Sequence, residues 1–302
     1  GQEEWFSLVK GSPEAIYKLF AKGSAPAWYV KTYENLARRG LRVLALAYRP
    51  IEDRGFDEAA ATNSPREWVE KDLLFGGFIA FECKIRADSG IVMKSLIESD
   101  HKVSMLTGDG LLTSLHVARE TYICREKTKM LTLHAPEDGK HKNGYWAVEK
   151  DDENDENSNA AETVAYDVSA IESLAEKYDL VCTEADFLAV IEVSGGDKSP
   201  LWTQCGHFRV FARMSPHGKA SIIRNIQDIE NKTQENYVLM CGDGGNDVGA
   251  LKQADIGMAL LAGHANANTT DKPIEESAET AVVASDKGSN AGKSAEDALN
   301  AH

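Results

Sequence analysis

Strands and helices alternate through most of this chain, and this order restricts the fold more than any other feature. The apolar runs Leu73–Phe81, Val103–Leu106 and Phe208–Ala212 are each followed by a stretch with helical spacing. Parallel strands need a crossover connection, which a helix usually supplies. The sequence therefore predicts an α/β fold with a doubly wound parallel sheet. The continuous run Leu73–Phe81 is typical of a strand buried on both faces.

Changes in composition divide the chain into three segments. Residues 1–72 combine strands and helices with a polar connector, and we predict that they form part of a smaller α/β domain. Residues 73–262 carry the main strand and helix alternation. Residues 263–302 lack aromatic side chains and are rich in small and polar residues. Such a segment buries too little apolar surface to offset its ordering entropy, so we predict a disordered tail.

The charge balance excludes several functions. Lys and Arg number 33 against 48 Asp and Glu, which gives a net charge of −15. A general nucleic-acid binder needs a basic face, so we expect no nucleic-acid partner. No apolar run approaches the ~18 residues that a membrane span requires, so we expect this segment to be soluble and to make no membrane contact. The five cysteines include no C-x-x-C pair, which favours a reducing compartment.

A glycine-rich acidic turn, Gly242–Asp247, follows the predicted strand that ends at Cys241. It brings Asp243 and Asp247 together with the amide of Asn246. Neighbouring carboxylates repel each other unless a cation lies between them, and Mg²⁺ prefers one or two carboxylates completed by water and phosphate. The turn lacks the lysine of a P-loop. We therefore predict a magnesium site.

Two more strand ends carry groups suited to phosphate. Thr107-Gly108-Asp109 offers a hydroxyl and backbone N–H groups ahead of a helix. Lys219 stands near the start of another helix, where a cation is disfavoured unless an anion binds there. Each feature alone also fits an ordinary turn or a surface lysine. Together with the acidic turn they predict a Mg²⁺-dependent phosphoryl-transfer site at the carboxyl ends of one sheet.

These motifs resemble those of the P-type ATPases, in the same order and over residues 5–262. The acidic turn resembles the family's hinge motif, and the lysine segment resembles its Phe-Ala-Arg stretch with a phosphate-contacting lysine. The matching segments are Lys10–Glu14, Leu41–Ala47, Met105–Asp109, Val210–Lys219 and Gly242–Lys252. The resemblance implies a haloacid-dehalogenase-like (Rossmann-type) phosphorylation domain over residues 73–262, preceded by the C-terminal part of a nucleotide-binding domain.

Two segments resemble the type V group, subclass A, in particular: Cys83–Ser89 and Met240–Asp255. These pumps of the endoplasmic reticulum were long described as cation transporters and are now regarded as transmembrane-helix dislocases. The resemblance implies a parent protein in that membrane, with this segment on its cytosolic face. Its partners would be ATP and the actuator and membrane domains of the parent.

The resemblance also implies a role for each matched residue. Lys10 would line the adenine pocket, and Arg42 would reach the nucleotide phosphates. The nucleotide- and phosphate-binding set would be Lys10, Gly11, Arg42, Thr107, Gly108, Asp109, Arg213, Lys219 and Asn246. The catalytic set would be Thr107, Lys219, Asp243 and Asp247, with Mg²⁺ bound at Asp243 and Asp247 and with ATP as the nucleotide.

The chain departs from the family pattern in three places. Gly110 stands where the family usually has Asn, and Gly245 where Thr is common. The family's nucleophile, the Asp of an Asp-Lys-Thr-Gly-Thr sequence, is absent, and Asp286-Lys287-Gly288 is only a superficial echo. We therefore expect the isolated chain to be inactive. Two alternatives stay open: a free-standing haloacid-dehalogenase-type phosphatase, and a non-catalytic nucleotide-binding fragment.

Overall fold

The computed structural model describes residues 4–52, 55–137, 139–149, 163–233, 237–260 and 281–284. They form two compact units. The first contains the residues up to Cys83 together with Leu112–Val117, and the second contains Lys84–Leu111 and the described residues from Ala118 onward. The first unit thus continues to Cys83, eleven residues beyond the predicted boundary after residue 72. Most of the predicted tail, 263–302, lies outside the described residues.

The bounds of the elements are as follows. The strands are β1 (Trp5–Gly11), β2 (Leu41–Ile51), β3 (Leu74–Glu82), β4 (Met105–Leu106), β5 (Met130–His134), β6 (Tyr145–Val148), β7 (Thr163–Ala165), β8 (Asp179–Thr183), β9 (Phe208–Ala212), β10 (Leu239–Gly242), β11 (Ile256–Leu260) and β12 (Ala281–Ala284). The helices are α1 (Pro13–Tyr17), α2 (Tyr29–Arg38), α3 (Glu58–Asn63), α4 (Arg66–Val69), α5 (Ser89–Glu98), α6 (Leu111–Glu120), α7 (Ile171–Lys177), α8 (Glu184–Val193), α9 (Pro216–Thr233) and α10 (Val248–Gln253). Within the described residues, no helix is both long and apolar enough to cross a bilayer.

The first unit is built on an antiparallel sheet in the order β1-β2-β3. Alternate residues of β2, Ala45 and Ala47, point to one face and pack there with Ile16 of α1 and Tyr29 of α2. The Tyr29 ring is fully buried, and its hydroxyl donates to the carbonyl of Pro13 at 3.0 Å. This hydrogen bond ties α2 to the start of α1.

Strand β3 corrects one expectation. The apolar run Leu73–Phe81 was predicted to be buried on both faces of a parallel sheet. Instead β3 pairs antiparallel with β2, and Ile79 and Phe81 are 40% and 46% exposed. The prediction was wrong because an apolar run records hydrophobicity and not the number of covered faces.

The second unit contains two sheets. The larger has the order β4-β9-β8-β5-β6-β7, in which β4, β9, β8 and β5 are parallel and β6 and β7 add an antiparallel edge. In the smaller sheet β10 pairs parallel with β11, and β12 pairs antiparallel with β11. The chain therefore has a mixed α/β architecture with several sheets, which agrees with the predicted α/β class, whereas the sheet of the first unit is antiparallel.

Helix α9 contributes to the hydrophobic clusters of both sheets. Ile222 belongs to the main core with Phe208 and Phe211, and Ile223 packs with Met240 of β10. Leu106, at the end of β4, also packs against both clusters. The ends of β4 and β10 are thus held near the same helix.

A buried carboxylate, that of Asp179, connects several segments of the second unit through hydrogen bonds. Asp179, at the start of β8, is fully buried and accepts from the backbone N–H of Arg125 at 2.7 Å and from its Nε at 2.9 Å. The guanidinium of Arg125 also donates to the carbonyls of Ala175 and Tyr178 at the end of α7. Arg209 lies 3.9 Å from the same carboxylate. The Asp179 carboxylate therefore lies beside two arginines, and one of them, Arg125, also binds the end of α7.

We expect Asp179→Asn to lower the free energy of unfolding by about 2 kcal/mol, since the fully buried side chain loses its charge-assisted hydrogen bonds to Arg125. Urea denaturation measures the change. The matched control is Asp197→Asn, at an exposed carboxylate, which should stay within about 0.5 kcal/mol of the unsubstituted chain. Equal losses in the two variants would contradict the assignment.

A pH-dependent prediction concerns Tyr29. Burial raises the pKa of its hydroxyl above the ordinary value, so the folded state favours the neutral form. That contribution to stability is present below about pH 10 and is lost as the pH rises further, because the unfolded chain then ionises first. Tyr29→Phe should cost about 1 kcal/mol at pH 7 for the lost hydrogen bond, and the difference should shrink above about pH 10.

The control for this experiment is Tyr17→Phe, because Tyr17 is 48% exposed. Urea denaturation from neutral to alkaline pH gives both differences. A constant gap between Tyr29→Phe and the unsubstituted chain across that range would refute the role assigned to burial.

Candidate functional site

The loop after β4 is joined to the loop after β9 by backbone hydrogen bonds. The N–H of Thr107 donates to the carbonyl of Phe211 at 3.0 Å, and the N–H of Met214 donates to the carbonyl of Thr107 at 2.8 Å. The N–H of Arg213 reaches the carbonyl of Asp109 at 2.9 Å. Two of the three predicted phosphate-binding loops are therefore one connected structure.

Gly110, a departure from the family pattern, has a local explanation. Arg213 has a left-handed backbone conformation with φ of 56°, and its guanidinium lies beside Gly110. A Cβ at position 110 would be 3.3 Å from Arg213 Nη2. The absence of a side chain at 110 thus leaves room for the arginine. Gly108 is exposed, and Asp109 is partly buried.

Lys219 is the fourth residue of α9, and its side chain is nearly buried. Its Nζ donates to Asp247 Oδ1 at 2.6 Å. A cation in the first turn of a helix is unfavourable by itself. We expected a bound anion to relieve this, whereas the structure supplies a buried carboxylate of its own chain. The contact joins the loop after β10 to α9.

The acidic turn is folded around Asp247. Asp247 Oδ2 accepts from the N–H of Gly244 at 3.3 Å, and the N–H of Asp247 donates to the carbonyl of Gly244 at 2.9 Å. A Cβ at Gly242 would lie 2.7 Å from the Cβ of Asp247. A glycine at position 242 therefore lets the strand end approach the carboxylate that binds Lys219.

The other polar groups of this turn face outward. Asp243 and Asn246 are exposed, at the end of β10 and in the following turn. Burial, followed by the negative charges of Asp243 and Asp247, raises the pKa of the Cys241 thiol. The turn thus combines one carboxylate committed to an ion pair with a second that solvent reaches.

These facts limit how a metal ion could bind. Within the part of the chain that the structure describes, no three His, Cys, Asp or Glu side chains are grouped to hold a metal ion. Mg²⁺ needs only one or two protein carboxylates when water and phosphate complete its octahedron. Asp243 is the exposed carboxylate of this turn. Asp247 is oriented by Lys219 and Gly244, so it is better placed to support the turn.

Three predicted nucleotide-binding residues lie in the first unit. Lys10 of β1 is opposite Leu46 of β2 in the antiparallel register, and Arg42 lies four residues before Leu46 on the same strand. Because side chains alternate across a sheet, Lys10 and Arg42 share one face. Gly11 ends β1, and a Cβ there would lie 3.2 Å from Ile16. The remaining predicted site residues lie in the second unit.

The sequence reasoning missed one site residue, Glu184. The N–H of Ser215 donates to Glu184 Oε2 at 2.8 Å, and the hydroxyl of Ser215 donates to Oε1 at 2.7 Å. Ser215-Pro216 is a recognisable helix start. No local signal identifies Glu184, because its partner is 31 residues further along the chain.

Comparison with known proteins agrees with the motif pattern. Residues 29–88 match the family described as P-type ATPase, cytoplasmic domain N. The chain is 38% identical over 260 residues to the "Probable manganese-transporting ATPase PDR2" of Arabidopsis thaliana. The aligned residues make up 86% of the chain and 20% of that protein. The chain is a relative of the type V P-type ATPases.

Two further relatives fall in the same group of P-type ATPases. The endoplasmic reticulum transmembrane helix translocase of Saccharomyces cerevisiae is 34% identical, over 85% of the chain and 20% of that protein. The polyamine-transporting ATPase 13A3 of Mus musculus is 29% identical, over 86% of the chain and 21% of that protein. The chain spans about a fifth of the length of these curated relatives, so the similarity concerns one part of them.

We expect Gly242→Ala to be markedly destabilising. The added Cβ must displace Asp247, which weakens the buried contact with Lys219, and overpacking of this kind costs about 1–3 kcal/mol. The matched control is Gly245→Ala, since a Cβ there meets nothing within 4 Å. Urea denaturation gives both values. Equal effects at the two glycines would show that the close approach to Asp247 is unimportant.

Proposed function

We propose that this chain is the ATP- and Mg²⁺-binding part of a P-type ATPase. The parent would transfer the γ-phosphoryl group of ATP to an aspartate, releasing ADP, and would then hydrolyse the aspartyl-phosphate to drive transport or helix dislocation. The observation that carries this proposal is the 2.6 Å contact between Lys219 and Asp247. It places an ammonium beside the acidic turn, as charge neutralisation during phosphoryl transfer requires.

The proposed fold is haloacid-dehalogenase-like, and the open strand edges support it. Among the described residues β4 pairs with β9 alone, and β10 pairs with β11 alone. Leu106 contacts the cores on both sides. We propose that a strand of the parent, carrying the nucleophilic aspartate, lies between β4 and β10. Because parallel strands end at one edge, it would bring that aspartate to Thr107 and Asp243.

The site residues would then share the charge of the transferred group. The Thr107 hydroxyl and Gly108 N–H would bind the phosphoryl oxygens, and Asn246 would donate a further hydrogen bond. Mg²⁺ held at Asp243 would neutralise phosphate charge. Lys219 would neutralise another oxygen, while Asp247 keeps the ammonium in place.

The nucleotide would be bound partly by the first unit. Lys10, with Gly11 beside it, would line the adenine pocket, and Arg42 would reach the phosphates, while Asp109 and Arg213 would place the ribose and the nucleotide. The sharing of one exposed sheet face by Lys10 and Arg42 supports this assignment.

We also propose that the parent lies in the endoplasmic reticulum membrane with this part on the cytosolic face. The names of two relatives, a helix translocase and a manganese-transporting ATPase, suggest different cargoes.

We expect the chain alone to form no acid-stable phosphoenzyme with γ-labelled ATP and Mg²⁺, because the nucleophile is missing. Adding a synthetic peptide with a β-strand followed by Asp-Lys-Thr-Gly-Thr should transfer label to the peptide, since an open strand edge accepts an added strand. Acid gel electrophoresis detects the product.

Two controls accompany this experiment. A peptide with Asn in place of the nucleophilic Asp should stay unlabelled, and Asp243→Asn in the chain should reduce labelling roughly 100-fold, as the loss of a transition-state charge contact does. Label on the chain without peptide would overturn the proposal. Turnover of p-nitrophenyl phosphate by the chain alone would instead favour a free-standing phosphatase.

A further inference from the structure

Glu184 is the first residue of α8, but its carboxylate binds at the start of a different helix, α9. Both of its oxygens accept hydrogen bonds from Ser215, one from the backbone N–H at 2.8 Å and one from the hydroxyl at 2.7 Å. Ser215 directly precedes α9, and its hydroxyl caps the helix by accepting from the N–H of Gly218.

The hydrogen bonds continue from Ser215 to Lys219. The Ser215 hydroxyl accepts from the N–H of Gly218 at 3.0 Å, and its carbonyl accepts from the N–H of Lys219 at 3.0 Å. A Cβ at Gly218 would overlap Glu184 Oε1. The carboxylate therefore occupies the space that any other residue at 218 would need. Glu184, Ser215 and Gly218 together fix the first turn of α9, from which the Lys219 side chain extends.

The charges in this region fit the same arrangement. The N-terminus of α9 carries the positive end of the helix dipole, and Lys219 adds a full positive charge in the first turn. Asp247 neutralises the ammonium at its tip, and Glu184 places a second carboxylate at the backbone end of the same turn. The helix start thus lies between two carboxylates that come from two different elements.

We propose that Glu184 is a positioning residue for Lys219: by fixing the first turn of α9 through Ser215 and Gly218, it holds the Lys219 ammonium against Asp247. Its importance for phosphoryl transfer rests on the function proposed above, but the positioning itself does not. Glu184 touches neither substrate nor metal in this proposal, and it acts only through α9.

The test is the rate at which the Lys219 amine is acylated in the full chain by a lysine reagent, followed by peptide mass spectrometry. A Gln at 184 has one acceptor oxygen for the two Ser215 donors, and it lacks the charge. We expect Glu184→Gln to speed Lys219 labelling about fivefold, the factor that the loss of one hydrogen bond implies. Gly218→Ala should do the same by displacing the carboxylate, and the double variant should add little.

Three controls separate positioning from a general loss of stability. Glu172→Gln removes an exposed acid from the first turn of α7 and should leave Lys219 labelling unchanged. Asp179→Asn destabilises the second unit away from α9 and should have far less effect on Lys219. Ser215→Ala should speed Lys219 labelling as Glu184→Gln does. Ser215→Thr keeps the hydroxyl, so Lys219 labelling should stay as slow as in the unsubstituted chain. Unchanged labelling in folded Glu184→Gln, or equal acceleration in Asp179→Asn, would overturn the proposal.

A second measurement separates this proposal from the proposed function. Inorganic phosphate with Mg²⁺ should protect Lys219 of the unsubstituted chain from labelling if the site binds phosphate. Faster labelling in Glu184→Gln without any protection by phosphate would support positioning and contradict the phosphate site. Protection by phosphate with no effect of Glu184→Gln would support the site and reject the positioning role.

Discussion

The contact between Lys219 and Asp247 is the interaction on which the arrangement of the candidate site depends, because it joins the turn after β10 to the start of α9. Both side chains are almost fully buried, so each charge would be costly without the other. To form this contact, the chain must bring the start of α9 to the turn after β10. That requirement explains why a glycine precedes Asp243 and why the turn bends back on Asp247.

Helix α9 transmits this constraint to both sheets of the second unit. Neighbouring residues, Ile222 and Ile223, enter different cores, and Leu106 of β4 contacts the same two clusters. At its start the helix is held by Glu184 of α8. The loop after β4 is hydrogen-bonded to the loop after β9, and the loop after β10 is joined to the start of α9 by Lys219.

Several features of the site followed from local sequence chemistry. Gly242–Asp247 predicted an acidic turn after a strand, and the alternation of apolar runs with helical spacing predicted the α/β class. The ion-pair partner of Lys219 was not predicted, since Asp247 lies 28 residues away. Glu184 was missed for the same reason. The exposure of β3 was also missed, because hydrophobic content does not report which sheet a strand joins.

The sequence by itself determined the family motifs, their order and the chemical types at each strand end, since these depend on neighbouring residues. Only the tertiary structure decided which carboxylate binds Lys219 and which stays exposed, and which residue caps α9. It also decided that the chain forms two compact units with β3 in the first. Such choices depend on burial and on contacts between distant segments, whose energies exist only when the cores have formed.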